Sequence, residues 1–133
     1  MATILIVDDA RSTLRALEVI LKREGYTVLT AASGTEGLTA IEQHEVDLLL
    51  CDVKMPKVDG LTVLRTIRSD PALAATPVLM LSALSEVHHL ERGVDAGANG
   101  YLTKPFDFRS LLEHVHRLAS ASHEVASHET AER

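Results

Sequence analysis

The stretch Ile4-Leu5-Ile6-Val7-Asp8-Asp9 decides the fold: four apolar residues run straight into two carboxylates. A short, continuous apolar run bounded by polar residues suits a strand buried on both faces, as in a parallel sheet. The two acids that end it repel each other. The end of a buried strand is a costly place for such a pair unless a cation meets it.

Working outward, similar runs recur at Thr27 to Ala31, Leu48 to Cys51, Val78 to Leu81 and Gly100 to Thr103. Helical patterns separate them. Leu14, Leu17 and Leu21 share one helical face, with Gly25 as a stop signal. Ser33 to Glu36 reads as a capping box before Leu38 and Ile41. Leu61, Leu64 and Ile67 mark a third helix that ends near Asp70-Pro71. Ser85 is placed to cap a fourth carrying Val87, Leu90 and Val94, closed by Gly97. Asp107 is placed to cap a fifth carrying Leu111, Leu112, Val115 and Leu118. Five βα units predict an α/β fold, a parallel sheet with helices on both faces. In open sheets of this kind, ligands bind beyond the carboxyl ends of the strands.

Composition bounds the function. The chain has 133 residues, 46% hydrophobic and 24% charged, which is one ordinary globular domain. Its formal net charge is -6, and Lys and Arg form no cluster, so direct nucleic-acid binding is not expected. The single cysteine, Cys51, rules out an internal disulfide and suits a reducing compartment. No apolar run is long enough to insert in a membrane, and the N-terminus lacks a basic leader. A cytoplasmic location is expected. From Ser120 a near repeat appears, Ala121-Ser122-His123-Glu124 and Ala126-Ser127-His128-Glu129, with Val125 as its large aliphatic residue. Residues 1–121 read as the domain, and 122–133 as a polar tail or linker, disordered or a frayed helix end.

The expected strand ends gather chemistry on one rim. Strand one ends in Asp8-Asp9, strand three in Cys51-Asp52, strand four in Leu81-Ser82-Ala83 and strand five in Thr103-Lys104-Pro105. Three close carboxylates suit a hard divalent cation, and Mg2+ is the natural choice because it leaves room for water and phosphate oxygens. A carboxylate beside such an ion and an ammonium can act as a nucleophile toward a phosphoryl group.

The motifs "ILIVDD", "LLLCDVKMPKVDGL", "VLMLSA" and "GANGYLTKPF" together resemble those of a bacterial two-component response-regulator receiver domain, in particular the chemotaxis-type single-domain regulators. The resemblance covers roughly residues 3 to 120. It implies a flavodoxin-like five-stranded parallel sheet of order 2-1-3-4-5 with five helices. It implies that Asp52 accepts a phosphoryl group from a sensor histidine kinase or phosphotransfer protein. Asp8 and Asp9 match the family's acidic metal pair, and with Asp52 and the backbone carbonyl of Lys54 they would hold Mg2+. Ser82 and Ala83 match the phosphoryl-binding strand end, Tyr101 the aromatic switch, and Lys104 the family's lysine, whose bond to Pro105 is often cis there. The switching surface implied is the fourth helix, fifth strand and fifth helix, which would reach a partner or output domain. Phosphorylation-dependent homodimerisation through that surface is compatible with it.

The resemblance implies a signalling domain, not a turnover enzyme, with at most slow self-phosphorylation and self-dephosphorylation. Leu84, two residues past Ser82, cannot orient a water by hydrogen bonding, which predicts slow self-dephosphorylation. Aspartyl-nucleophile phosphatases carry an Asp-x-Asp pattern after strand one, and flavin carriers a Ser/Thr/Gly-rich loop there; the adjacent Asp8-Asp9 pair fits neither. His88-His89 and His114/His116 have offsets that chelate poorly on a helix and read as solvated surface.

Overall fold

The computed structural model describes residues 2–83 and 97–132, with side chains through Ser120. Its strands are β1 (Thr3–Val7), β2 (Thr27–Ala31), β3 (Leu48–Asp52), β4 (Val78–Ala83) and β5 (Gly100–Lys104). They form one all-parallel sheet of order β2-β1-β3-β4-β5. The helices are α1 (Arg11–Arg23), α2 (Gly34–Gln43), α3 (Gly60–Ser69) and a C-terminal helix (Phe108–Glu132). The helix expected from Ser85 lies outside the described residues, as does Leu84.

The opening stretch explains the layering. Successive strand residues point to opposite faces. Ile4 and Ile6 pack with Leu14, Leu17 and Leu21 of α1 and with Leu111, Val115 and Leu118 of the C-terminal helix. Leu5 and Val7 pack with Ile41 of α2 and Leu61, Leu64 and Ile67 of α3. One four-residue run therefore serves two cores, and Ile4, Leu5, Ile6 and Val7 are all fully buried. Cys51 belongs to the second core as a small buried hydrophobe. Burial, with Asp52, Asp8 and Asp59 nearby, pushes its thiol pKa far up, so it stays protonated.

The helix boundaries follow from capping. The Ser33 hydroxyl accepts from Glu36 N at 3.1 Å. Glu36 Oε2 reaches back to Ala32 N at 2.8 Å, one residue earlier than the reciprocal bond of a standard capping box. Asp59 caps α3 by accepting from Thr62 N at 2.8 Å, and Asp107 accepts from Ser110 N at 2.6 Å at the start of the C-terminal helix. That helix continues through the polar stretch from Ser120 to Glu132 with no break in its backbone at residue 121. The stretch contains neither Gly nor Pro to stop it. The Tyr26 hydroxyl hydrogen-bonds His116 Nδ1, and His116 Nε2 lies 3.3 Å from Glu24 Oε1. His116 is exposed, as expected from its spacing, and it also bridges the C-terminal helix to the turn before β2. His114 donates from Nδ1 to Ser110 O at 2.8 Å.

Candidate functional site: an acidic rim with one lysine

β1, β3, β4 and β5 deliver their last residues to the same rim of the sheet. β1 and β3 pair with Val7 opposite Cys51, so Asp8 and Asp52 leave the sheet side by side. β3 and β4 pair with Asp52 opposite Leu81. β4 and β5 pair with Ser82 opposite Thr103 and Ala83 opposite Lys104. Three strands also run one or two residues beyond their apolar stretch, to Asp52, Ala83 and Lys104. Ladder bonds come from the backbone, so polar side chains at a rim do not end a strand.

Of the expected residues, Asp8, Asp9, Asp52 and Lys104 converge. Lys104 Nζ lies 3.1 Å from Asp8 Oδ2 and 3.2 Å from Asp52 Oδ1, bridging strands at opposite ends of the sequence. Asp8, Asp9 and Asp52 each offer a carboxylate oxygen within 4.8 Å of the others. Asp8 is fully buried, Asp52 is 7% exposed, and Asp9 is open to solvent. Asp8 Oδ1 also accepts from Ala10 N at 2.9 Å, which fixes its carboxylate at the start of α1. The Ser82 hydroxyl is buried, with no hydrogen-bond partner among the described residues. Tyr101 stands partly buried on β5, packed against the core that holds Met80. Lys54 is exposed, two residues past Asp52. The Lys104-Pro105 peptide is cis.

The electrostatics of the rim are dominated by its excess of negative charge. Burial, and next the Asp8 carboxylate, push the Asp52 pKa up to about 6 despite the opposing pull of Lys104. Burial alone would lower the Lys104 ammonium, but Asp52 and Asp8 outweigh it and hold it above its ordinary value. When all are ionised, three carboxylates face one ammonium. The donor set is all oxygen, closely spaced, negative in excess and partly open through Asp9. It fits a hard divalent cation.

A stability prediction follows for metal-free protein. Asp52 takes up its proton near pH 6 when folded and near its ordinary 3.8 when unfolded. Between those values the folded state binds more protons, so stability falls as pH rises from about 4 to about 6 and then stays low. Asp52→Asn is therefore expected to be more stable than wild type at pH 7 by about 1–2 kcal/mol, less than the full titration effect because the amide gives up its ion pair with Lys104. The gain should vanish at pH 4 and under saturating divalent cation. Urea melts at the two pH values, with and without metal, read this directly.

One functional contact was not visible in the sequence reading. A Cβ on Gly60 would stand 2.1 Å from the backbone oxygen of Asp52 and 2.9 Å from its carbonyl carbon. Gly60 N also donates to Val53 O at 2.7 Å. The first turn of α3 thus rests on the backbone of Asp52, and only a residue without a side chain fits. The Asp59-Gly60 pair was the available signal, a cap followed by the smallest residue.

The doubly wound parallel sheet thus gathers three acids and a lysine at its carboxyl rim. The family model for the response regulator receiver domain matches residues 4–116. The chain belongs to that family, whose members are receivers of bacterial two-component systems and work by phosphorylation-dependent signalling. Among curated relatives, the DNA-binding dual master transcriptional regulator RpaA of Synechocystis sp. is 41% identical over 118 residues, covering 89% of this chain and 49% of that protein. Response regulator ArlR of Staphylococcus aureus is 36% identical over 115 residues, covering 86% of this chain and 51% of that protein. The chain therefore spans about half the length of the curated relatives it matches. Among solved structures, chemotaxis protein CheY4 of Vibrio cholerae superposes with a TM-score of 0.83 at 34% identity, covering 89% of this chain and 98% of that one. A response regulator from Chloroflexus aurantiacus gives a TM-score of 0.85 at 39% identity, covering 90% and 98%. No helix among the described residues is long and apolar enough to cross a membrane.

Proposed function

We propose that Asp52 is the phosphoacceptor of this receiver, taking a phosphoryl group from a phosphohistidine on a sensor histidine kinase or phosphotransfer protein in the cytoplasm. The observation that carries the reading is the contact of one ammonium, Lys104, with both Asp8 and Asp52 inside an all-oxygen acidic cluster. Asp8, Asp9, Asp52 and the backbone carbonyl of Lys54 would hold Mg2+, which neutralises charge on the transferring oxygens when bound. An Asp52 oxygen attacks phosphorus. The bond from phosphorus to the donor imidazole breaks, and the departing nitrogen keeps the electron pair. Lys104, already 3.2 Å from Asp52 Oδ1, stabilises negative charge on the phosphoryl oxygens. The Ser82 hydroxyl and the strand end at Ala83 receive the phosphoryl group. A buried hydroxyl without a partner among the described residues is suited to this, since a new acceptor would relieve its cost.

Phosphorylation then biases two states of the fold. Ser82 lies opposite Thr103, two residues from Tyr101, so a shift at β4 is felt along β5. The signal leaves through β5, the C-terminal helix and the segment before β5 that lies outside the described residues, toward a partner, an output domain or a second copy. Self-dephosphorylation is slow, as Leu84 implies.

Acetyl phosphate with Mg2+, followed by intact mass and peptide mapping, tests the assignment. Wild type is expected to gain one phosphoryl group at Asp52, and Asp52→Asn none. Removing Mg2+ with chelator should abolish the gain. Equal labelling of both proteins, or labelling of neither, overturns the reading.

A further inference from the structure

At the opposite end of the sheet from the acidic rim, one guanidinium ties together the approaches to β4 and β5. Arg68, near the end of α3, donates from Nη1 to Thr76 O at 2.7 Å and to Ala74 O at 3.2 Å, just before β4. From Nε it donates to Gly97 O at 2.9 Å, and from Nη2 to Asn99 Oδ1 at 2.8 Å, just before β5. The same Asn99 oxygen accepts from Val78 N at 2.8 Å, while Asn99 N donates to Val78 O at 2.9 Å. Asn99 thus brackets the first residue of β4 from both sides. Gly97 lets the guanidinium lie close: its φ is +97°, and a Cβ there would meet Arg68 Nε at 3.2 Å. All four acceptors are neutral oxygens, and burial holds the Arg68 pKa below its ordinary value. Placing a cation there without a counter-charge in this set is costly, so its return is positional.

We propose that Arg68, acting through Asn99, is a positioning residue that fixes the register of β4 against β5 and so sets Lys104 and Ser82 in place at the far rim. Among the described residues β5 is an edge strand, paired to β4 alone. Its register puts Thr103 opposite Ser82 and Lys104 opposite Ala83. A slip of one residue would carry the Lys104 backbone about 3.3 Å along the strand and turn its side chain to the other face. Asp8, Asp9 and Asp52 sit on β1 and β3 and just past them, which the latch does not touch. Cation binding and phosphoryl acceptance therefore separate: the first should persist or strengthen without the latch and the second should need it. This inference rests on the phosphoacceptor reading for one of its three readouts only.

The test compares wild type with Arg68→Gln, Asn99→Ala and the conservative Arg68→Lys. Mg2+ affinity is measured by calorimetry, and the rate of phosphoryl uptake from acetyl phosphate by intact mass at saturating Mg2+. The two disruptive variants are expected to bind Mg2+ at least as tightly as wild type but take up phosphoryl about tenfold more slowly. Arg68→Lys, which keeps a donor but not the fork, should fall between. Cross-strand amide contacts between Ser82 and Thr103, read by NMR, should weaken in step without reference to phosphorylation. Parallel loss of Mg2+ affinity and rate would mark a merely structural role and overturn the proposal. So would unchanged rates with unchanged Ser82–Thr103 contacts. A wild type that takes up no phosphoryl group sinks the phosphoacceptor reading instead, and the Ser82–Thr103 contacts then decide the latch alone.

Discussion

Lys104→Met is expected to slow phosphoryl uptake by Asp52 by about two to three orders of magnitude, the usual loss when one preorganised charge-stabilising donor is removed. The same change should strengthen Mg2+ binding. In metal-free protein the Lys104 ammonium sits 3.1 Å from Asp8 and 3.2 Å from Asp52, where it competes for the oxygens a metal needs. Methionine keeps the length and apolar bulk but not the charge, which leaves three carboxylates uncompensated. Their mutual repulsion raises the benefit of a divalent ion, by about tenfold in affinity for one charge removed at this range. Opposite signs in the two measurements are the diagnostic result. If the rate and the Mg2+ affinity both fall, Lys104 organises the rim structurally, and its electrostatic role is wrong.

Gly60→Ala should be the most damaging conservative change in the domain. The new methyl would meet the Asp52 carbonyl at 2.1 Å and Val53 Cα at 2.9 Å, all backbone atoms that cannot rotate away. Either the first turn of α3 lifts or the Asp52 backbone moves. The expected cost is about 2–4 kcal/mol in stability, at or above the upper range for overpacking, with a clear loss of Mg2+ affinity because Asp52 leaves its place beside Asp8. Gly100→Ala is the control. Its Cβ would approach Leu79 Cδ1 at 3.2 Å, a side-chain end that can turn aside, so the loss should stay below about 1 kcal/mol. Equal denaturant midpoints for the two variants would show that the α3–Asp52 contact is unimportant.

Both predictions concern one site, and its charged side chains could be read in the sequence while the backbone contact beneath them could not. Asp8, Asp9, Asp52 and Lys104 were legible because each follows an apolar run, and a parallel sheet brings such positions to a common rim whatever the loops do. Gly60 was not, because its importance is a distance to the carbonyl of Asp52 across an irregular loop in which Lys57 adopts a left-handed φ of 65°. The Arg68 latch was invisible for a similar reason: its partners lie up to 31 residues away and are mostly backbone oxygens, which carry no residue signature. His116 is solvated as its helical offset suggested, but its bond to Tyr26 was not legible, because offset speaks only of neighbours on the same helix and Tyr26 is 90 residues distant. Strand cores were clear and strand ends were short by a residue or two, because polarity marks burial and says nothing about backbone pairing.

The chain has no tryptophan and two tyrosines. Its ultraviolet emission therefore comes from Tyr26, whose hydroxyl is clipped to His116, and Tyr101, set in β5. Each ring watches a different part of the molecule: one the seat of the C-terminal helix, the other the strand that ends in Lys104. Comparing wild type with Tyr26→Phe thus gives an unlabelled optical readout that separates events at the edge strand from movement of the helix leading out of the domain.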